Sequence, residues 1–461
     1  MTIYKADKFI SENKHLIIED YRLVFHGMPE FGWMNDPNGL VFYEDNYHIF
    51  YQHYPYDSVW GPMHWGHLVS KDMIKFEYMP IALAPDKDDE TGCFSGGAIV
   101  DSKNKKLLHL FYTKHYEKDG IKLETQGLAS SLDGINFIKY DKPIIDEKLQ
   151  KPHTFCGDVR DPSPVFINGK YYIILGTKSK DNKGKFAIYS SPDLSSFEYH
   201  DEIIVEGLFG NMGECPDLSE VGNKEVFLYS QIKYDAKLKK NRNTSHVIIG
   251  DIDIENKTYH IDQNDFVDKG HHFYAPQTLV DNKGRVIMIA WMEMWGEKQV
   301  THELGHNWMG ATTFPRVLSV EDNHLYQWPI KELENYYMNS KKIIQKQVIK
   351  KQTDIYITKT SSDYTLKVKS TTNENDYFEI GYHNNQFYID GSKLLINKLC
   401  KIESNITYNE IELRILLDTS SIEIFINNGF EVFTSRIYID SNNYILESST
   451  MIDGVINTIE V

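Results

Sequence analysis

Carboxylates at regular intervals are the residues of this chain whose types and spacing could do chemistry. Asp36 lies in the segment WMNDPNG, residues 33–39, and Asp161 and Glu214 follow in the segments RDP and ECPD. Asn, Pro and Gly each favour turns, so we expect a sharp turn that presents Asp36 to a cleft. A single acid beside a proline is more often only a solvent-exposed residue of a turn. The spacing between the acids therefore decides between the two interpretations.

Two sequence patterns repeat with a period near 60 residues. The first is a polar turn followed by an apolar and aromatic strand, and its five copies begin at Glu44, Ser102, Asn168, Gly222 and Asn282. The second is Ser-x-Asp-x-x-x-Phe, whose aspartates Asp72, Asp133 and Asp193 are 61 and 60 residues apart. Five hairpin units over residues 25–330 predict a five-bladed β-propeller with one four-stranded blade per repeat.

Five polar side chains occur at the same point of successive repeats. The intervals from Asp36 through Ser95, Asp161 and Glu214 to Tyr274 are 59, 66, 53 and 60 residues. Equivalent positions on successive blades converge around a propeller axis, so we expect these side chains to line one central funnel. Crowded carboxylates repel, and at least one should therefore have a raised pKa. A protonated acid beside an ionised one is the pair that glycoside hydrolysis needs.

The pattern changes after about residue 335. Short alternating strands such as YTLKVKS, YFEIGYH and IELRILLD are separated by turn residues, which is typical of a β-sandwich. We therefore predict an all-β chain, with a propeller catalytic domain at residues 1–335 and a β-sandwich domain at residues 336–461. The lysine-rich stretch 341–351 is expected at the junction, as a solvated strand or linker.

Composition excludes several classes of partner. The chain has 461 residues and a net charge of −17, which argues against nucleic acid or an anionic membrane surface as partner. No stretch approaches the roughly 20 apolar residues of a membrane span. The first ten residues, MTIYKADKFI, lack the apolar segment of a secretory signal, and the four cysteines are scattered. These observations favour a cytoplasmic protein.

The segments WMNDPNG, FSG, RDP and EC, in this order, resemble glycoside hydrolase family 32. YQHYPYDSVWGPMHWGHLVSKD, NWMGATTFPR and DTSSIEIFINNG extend the resemblance over most of the chain. The family contains invertases, sucrose-6-phosphate hydrolases and fructan hydrolases, and its fold is a five-bladed propeller followed by a β-sandwich. The chain departs from the family pattern at Tyr54 and Gly97, which affects the wall of the pocket rather than the acids.

The resemblance implies a role for each acid. Asp36 resembles the nucleophile, Glu214 the general acid/base, and Asp161 the third acid, which binds fructose hydroxyls beside Arg160. The family retains configuration, so the carboxyl groups of Asp36 and Glu214 are expected about 5–5.5 Å apart. Residues at family positions around the fructose are Asn35, Gln52, Trp60, Phe94, Ser95, Arg160, Tyr274 and Trp291. Neither a metal nor a cofactor is implied.

The expected activity is that of a β-fructofuranosidase acting by double displacement on a small-molecule carbohydrate. A cytoplasmic enzyme needs an imported substrate, and sucrose 6-phosphate is therefore favoured over sucrose. Lys114, His115 and Arg242 are candidates for binding the phosphate. Hydrolysis of fructo-oligosaccharides, transfructosylation and a non-catalytic fructan-binding propeller are the alternatives. Sandwich-bearing enzymes of this kind can dimerise, so a homodimer is possible.

Two further patterns suggest chemistry that we do not expect. His302-Glu303-Leu304-Gly305-His306 matches the zinc-protease pattern HExxH, but that pattern needs a helix that places both histidines on one face. The glycine between the histidines argues against such a helix. Cys215, next to Glu214, is expected to be a small buried residue that packs against the acid. Trp65 is expected in the core.

Overall fold

The computed structural model of the protein is all-β, as predicted, and it describes residues 1–237 and 239–461. The helical segments in these ranges are short: α1 (Ile3–Asn13), α2 (Glu147–Gln150), α3 (Val300–Glu303) and the 3-10 helices Lys14–Leu16 and Lys331–Tyr336. Across these residues, none of the helices is long and apolar enough to cross a membrane.

Strands between residues 32 and 329 form five antiparallel sheets. The strands of the first two sheets are β1 (Gly32–Tyr43), β2 (Asn46–Tyr54), β3 (His64–Ser70), β4 (Glu77–Tyr78), β5 (Gly92–Val100), β6 (Leu108–Lys118), β7 (Ile121–Ser131) and β8 (Ile138–Lys139). Those of the third and fourth sheets are β9 (Val159–Ile167), β10 (Lys170–Lys178), β11 (Gly184–Ser191), β12 (Glu198–Ile203), β13 (Met212–Val221), β14 (Lys224–Asp235), β15 (Lys240–Asp253) and β16 (Thr258–Phe266). The remaining strands are β17 (Tyr274–Val280), β18 (Val286–Trp291), β19 (Trp308–Met309), β20 (Arg316–Glu321) and β21 (His324–Pro329).

The first strands of the five sheets contact one another in a ring. Strand β1 contacts β5, β5 contacts β9, β9 contacts β13, β13 contacts β17, and β17 contacts β1 again. The short strand β19 belongs to the first sheet, because it pairs in parallel with β1, with Gly32 opposite Trp308 and Trp33 opposite Met309. A segment that follows the fifth hairpin thus joins the first sheet.

The five predicted hairpins are confirmed, since β1–β2, β5–β6, β9–β10, β13–β14 and β17–β18 all pair in antiparallel fashion. Two of the turns are two residues long and have positive φ at both positions. These are Glu44-Asp45, at 49° and 59°, and Asn168-Gly169, at 48° and 86°. Such turns match the twist of the flanking strands, which explains why Asn, Asp and Gly occur there.

The Ser-x-Asp-x-x-x-Phe pattern is a local turn between the third and fourth strands of a sheet. In one copy, Asp133 donates its backbone N–H to Ser131 Oγ at 3.3 Å, and Ile135 donates its own to Asp133 Oδ1 at 2.9 Å. The residue three positions after the serine has a positive φ in every copy: Met73 at 60°, Gly134 at 69° and Leu194 at 67°. Side-chain oxygens thus replace missing backbone partners at each bend.

The segment WMNDPNG lies within strand β1, and our prediction of a sharp turn there is wrong. Pairing between β1 and β2 shifts its register twice, between Met34 and Pro37 and again between Asn38 and Val41. Proline has no N–H to give to a sheet, and the bulge places Pro37 next to the break in the ladder. A bulge, rather than a turn, therefore sets the direction of Asp36.

Residues 337–459 form two six-stranded sheets. The strands of one sheet are β22 (Tyr337–Lys342), β33 (Gly454–Ile459), β24 (Thr353–Thr360), β29 (Ile411–Asp418), β30 (Ser421–Ile426) and β31 (Glu431–Arg436). Those of the other are β23 (Lys346–Ile349), β32 (Tyr444–Ser448), β25 (Tyr364–Ser370), β26 (Tyr377–His383), β27 (Gln386–Asp390) and β28 (Ile402–Thr407). Residues of both sheets, such as Ile355 and Leu366, belong to one buried hydrophobic cluster. The lysine-rich stretch contributes the end of β22 and all of β23, which agrees with the predicted strand.

A buried ionic network joins the two parts of the chain. The Arg316 guanidinium lies 3.0 Å from Asp268 Oδ2 and 2.6 Å from Glu423 Oε2. Glu423 also contacts His26 Nε2 at 3.0 Å, and the other ring nitrogen of His26 lies 2.9 Å from Asp418 Oδ2. All five side chains are buried. Burial disfavours the imidazolium, yet both carboxylates raise the pKa of His26 above its usual value.

We expect Arg316→Met to lower the stability of the protein by about 3–5 kcal/mol, because it leaves Asp268 as a buried charge without a cation and leaves Glu423 with His26 alone. A urea unfolding curve measures the effect as a lower midpoint. Lys359→Met is the matched control, since its pair with Glu410 at 2.8 Å is exposed to solvent and the midpoint should not move. Equal midpoints for both variants would contradict a structural role for the network.

Candidate active site

A pocket of about 610 Å³ lies at the ring of first strands, and most of the predicted site residues line it. The predicted residues on its wall are Asn35, Asp36, Gln52, Trp60, Phe94, Ser95, Arg160, Asp161, Glu214 and Tyr274. They come from all five sheets, because each of the strands β1, β5, β9, β13 and β17 contributes at least one of them. The expectation that equivalent positions converge is met.

Each first strand carries a bulge at the site, as β1 does at Asp36. The register of pairing shifts after Phe94 in β5, after Arg160 in β9, after Glu214 in β13 and after Tyr274 in β17. In three strands the next residue has a positive φ although it is not glycine: Asp161 at 62°, Cys215 at 46° and Ala275 at 51°. Such backbone is strained, and it persists because the packed sheets on both sides hold it in place.

Asp36 is a buried carboxylate with two different oxygens. Its Oδ2 accepts a hydrogen bond from Ser95 Oγ at 2.8 Å and lies 3.7 Å from Cys215 Sγ. Its Oδ1 is buried and has no hydrogen-bond partner among the described residues. Burial raises the pKa of Asp36 to about 6, while the side chains of Asn35 and Ser95 lower it and the charge of Glu214 raises it. One oxygen is thus held in position and the other is free to form a bond.

Asp161 lies next to the same cysteine. Its Oδ2 accepts from the backbone N–H of Cys215 at 2.9 Å, and Cys215 Sγ is 3.6 Å away. Its own backbone N–H donates to Thr113 Oγ1 at 2.9 Å. Burial raises the pKa of Asp161 to about 7, with Arg160 opposing the shift and Glu214 adding to it. The expectation that at least one acid has a raised pKa is confirmed for Asp36 and Asp161.

Glu214 is held from both sides by groups that donate to it. Arg160 places Nε at 3.0 Å and Nη2 at 2.7 Å from Glu214 Oε1, and the Tyr274 hydroxyl donates to Oε2 at 2.5 Å. Arg160 is in turn fixed by Glu124 Oε2, which lies 3.3 Å from its Nη1. Asn243 Nδ2 donates to the Tyr274 hydroxyl at 3.3 Å. The orientation of Glu214 is therefore fixed at both oxygens.

Aromatic rings form one wall of the pocket. Phe94 stacks on His115, with ring centroids 3.9 Å apart and an angle of 7° between the planes. Trp60 meets Phe94 edge to face at 6.0 Å and is 48% exposed, whereas Trp65 is buried in the core, as expected. Apolar ring faces beside convergent hydrogen-bonding groups are what a sugar ring needs.

Trp291 lies behind this wall instead of on it. It is fully buried and packs against Trp33 and Trp295, with centroid distances of 5.9 and 4.9 Å. Trp295 lines the pocket, whereas Trp291 does not. The family resemblance pointed to Trp291, which ends β18, but the segment that follows brings Trp295 to the pocket.

Two long hairpins supply wall residues that the sequence analysis missed. From β6–β7 come Glu117, Lys122 and Glu124, and from β14–β15 come Ile232, Lys240, Asn241 and Asn243. These strands extend past the bulges of the first strands, and β15 is 14 residues long. The length of the strands is the only feature that could have predicted these wall residues. His115, predicted as a phosphate ligand, also lines the pocket. Lys114 is instead buried and paired with Asp89 at 2.6 Å.

The HExxH segment does not place its histidines on one helix face. Helix α3 ends at Glu303, and Gly305 follows with a φ of 75°. His302 Nδ1 then contacts Ser58 Oγ at 2.8 Å, whereas His306 Nδ1 contacts Asp20 O at 3.1 Å. Each histidine thus serves local structure. Cys215 is buried and touches the acids, as expected, and burial keeps the pKa of its thiol well above the usual value.

The arrangement can form and break a covalent bond to a sugar. A carboxylate with one free oxygen and a second carboxyl group held by arginine and tyrosine are the two parts that double displacement at an anomeric carbon requires. The fold and the pocket thus define a glycoside hydrolase.

Comparison with known proteins agrees with this class. The profile of the glycosyl hydrolases family 32 N-terminal domain matches residues 26–329, and that of the glycosyl hydrolases family 32 C-terminal domain matches residues 328–458. The chain therefore belongs to glycosyl hydrolases family 32. The predicted family and the predicted β-fructofuranosidase type of glycoside hydrolase are confirmed.

Two similar proteins, one of them solved in two forms, show how far the likeness extends. A sucrose-6-phosphate hydrolase of Escherichia coli is 34% identical over 437 residues, which cover 90% of this chain and 88% of that protein. The structure of a Bombyx mori GH32 beta-fructofuranosidase is 30% identical, with a TM-score of 0.85 and coverage of 99% and 97%. A mutant of the Bombyx mori enzyme in complex with sucrose is also 30% identical, with a TM-score of 0.84 and the same coverage.

We expect Ser95→Ala to raise the pKa of Asp36 above about 6, because the hydrogen bond that it removes stabilises the ionised carboxylate. The acid limb of kcat/KM reports groups of the free enzyme, so it should move to higher pH. Ser163→Ala is the control, as Ser163 is a buried serine of β9. An acid limb that stays at the same pH in Ser95→Ala would show that Ser95 does not tune this carboxylate.

Proposed function

We propose that this family 32 enzyme releases β-D-fructosyl residues from sucrose 6-phosphate, and from sucrose, by double displacement. The observation that carries the proposal is a pair of acids in one pocket. One oxygen of Asp36 has no hydrogen-bond partner among the described residues, and the two oxygens of Glu214 accept hydrogen bonds from Arg160 and Tyr274. The E. coli relative is named for the first substrate, and a Bombyx mori relative has been solved with the second.

In the first step, Asp36 Oδ1 attacks the anomeric carbon of the fructosyl unit. The bond from that carbon to the glycosidic oxygen breaks, and its electron pair goes to the leaving oxygen, which takes a proton from Glu214. Both bonds from Arg160 end on Oε1 of Glu214, so the proton is carried on Oε2 beside the Tyr274 hydroxyl. The product of this step is a fructosyl ester of Asp36.

In the second step, Glu214 removes a proton from water, and the resulting hydroxide attacks the same carbon. The ester bond breaks, and the electron pair returns to Asp36. Two displacements at one carbon restore its configuration. Asp161 accepts hydrogen bonds from fructose hydroxyls, and its negative charge stabilises the positive charge that develops on the sugar ring. The acids are expected about 5–5.5 Å apart for this reaction.

We further propose that the five sheets are the five blades of a propeller, in residues 1–335, and that residues 336–461 form a β-sandwich domain. The ring of contacts among β1, β5, β9, β13 and β17 supports the blades. The hydrophobic cluster shared by the two six-stranded sheets supports the sandwich.

A cytoplasmic location fits a phosphorylated substrate and four free cysteines. The homodimer stays a prediction, which light scattering after gel filtration would test.

We expect Asp36→Asn to lower kcat about 10⁴-fold or more, because the amide cannot form the ester. Glu214→Gln should lose most hydrolysis of sucrose but still release a burst of about one equivalent of p-nitrophenol from p-nitrophenyl β-D-fructofuranoside, whose leaving group needs no proton, before turnover stops for lack of the base of the second step. Asp217→Asn is the matched control: like Glu214, Asp217 is a half-buried acid of β13, but it accepts a hydrogen bond from Thr278 Oγ1 at 2.5 Å and lines a separate cavity. Full activity of Asp36→Asn would remove Asp36 from the mechanism.

The substrate is tested by kinetics on both sugars. We expect kcat/KM for sucrose 6-phosphate to exceed that for sucrose, and NMR of the first product to show the β anomer of fructose. A higher kcat/KM for sucrose would reject the phosphorylated sugar as the preferred substrate. An initial α anomer would contradict double displacement.

A further inference from the structure

The proposed substrate brings a doubly charged anion into a pocket that is rich in acids. Asp36, Asp161 and Glu214 line it, and the hairpin β6–β7 adds Glu117 and Glu124. A phosphate group binds there only if a cation meets it, since like charges repel strongly where water is partly excluded. The basic side chains on the wall therefore decide how the pocket accepts a phosphorylated sugar.

Three permanently charged cations line the pocket, and two are already paired. Arg160 lies 2.7 Å from Glu214 and 3.3 Å from Glu124. Lys122 lies 2.8 Å from Asp158 Oδ1 and 3.7 Å from Glu124. Lys240 is the third cation, and within the described part of the chain no acidic group lies within ion-pair distance of it. It is exposed beside the turn that connects β14 to β15.

Strand β15, which begins at Lys240, passes close to the general acid. Asn243 contacts the Tyr274 hydroxyl, which in turn contacts Glu214 Oε2, so two hydrogen bonds connect this strand to the acid. A β-strand advances about 3.3 Å per residue, which places the backbone of Lys240 about 10 Å further along the strand. Asn241 shares the strand face of Asn243 and also lines the pocket.

We propose that Lys240 binds the phosphate of the glucosyl 6-phosphate leaving group. The inference rests on the proposed function, because Glu214 protonates the leaving oxygen and the leaving sugar must therefore extend from Glu214 along β15. The distance between Asn243 and Lys240 accommodates one sugar ring and its phosphate. Arg242, which is 64% exposed and lies 3.8 Å from Asp235, is outside the wall. Lys240 is thus a specificity-determining residue.

The test compares two lysines of the same hairpin. Lys240→Ala should lower the ratio of kcat/KM for sucrose 6-phosphate to that for sucrose about 10–100-fold, the usual value of a hydrogen bond to a charged group. The change should fall mainly on KM, because the phosphate is bound equally in the ground state and the transition state. Lys237→Ala removes the same charge from an exposed residue outside the wall and should leave the ratio unchanged. Lys240→Arg should restore most of it.

Binding of the product tests the site without turnover. Calorimetry should show that wild-type protein binds glucose 6-phosphate more tightly than glucose, and that Lys240→Ala loses this difference. An unchanged ratio in Lys240→Ala, an equal fall for both substrates, or the same change in Lys237→Ala would overturn the inference. The wild-type protein could also cleave neither sugar and still bind glucose 6-phosphate. If Lys240→Ala then lost this binding, the result would refute the proposed function and support the phosphate site.

Discussion

Three carboxyl groups that converge in one pocket are the constraint on which the rest of this structure depends. Burial and the neighbouring negative charges raise the pKa of Asp36 and Asp161, and nearby donors oppose the rise. The donors differ by acid: a serine hydroxyl for Asp36, a backbone N–H for Asp161, and an arginine with a tyrosine for Glu214. These differences give chemically similar groups separate roles, because each donor sets both the direction of a carboxylate and the ease with which it takes a proton.

The fold supplies these donors through repetition. Each sheet begins with a strand that bulges at the pocket, so one structural solution is used five times with different side chains. The bulges hold strained backbone at Asp161, Cys215 and Ala275, and the surrounding hairpins stabilise it through ordinary sheet pairing. Scaffold and site thus have distinct energetics. Stability comes from many equivalent buried strands, and function comes from a few unfavourable conformations that those strands can tolerate.

Much of this could be predicted from the sequence, because the repeat fixes which residues are equivalent. The intervals between Asp36, Asp161 and Glu214 were enough to bring them together, and the hairpin turns follow from Asn, Asp and Gly. The wrong expectation of a turn at Asp36 has a local cause, since proline and glycine also mark bulges. Trp295 and Lys240 escaped prediction for another reason: a loop path and a strand length place them, and neither has a residue signature. The network around Arg316 joins residues far apart in the chain, which no local pattern reports.

The parallel pairing of β19 with β1 has a consequence for how the protein is made. Strand β1 holds Asp36, the proposed nucleophile, near the beginning of the chain, but its partner at Trp308 and Met309 is synthesised much later. Contacts over such a sequence distance form slowly and late in folding. A nascent chain can therefore complete individual hairpins on the ribosome while its pocket stays open. We therefore expect the pocket to become complete only when β19 pairs with β1, late in folding.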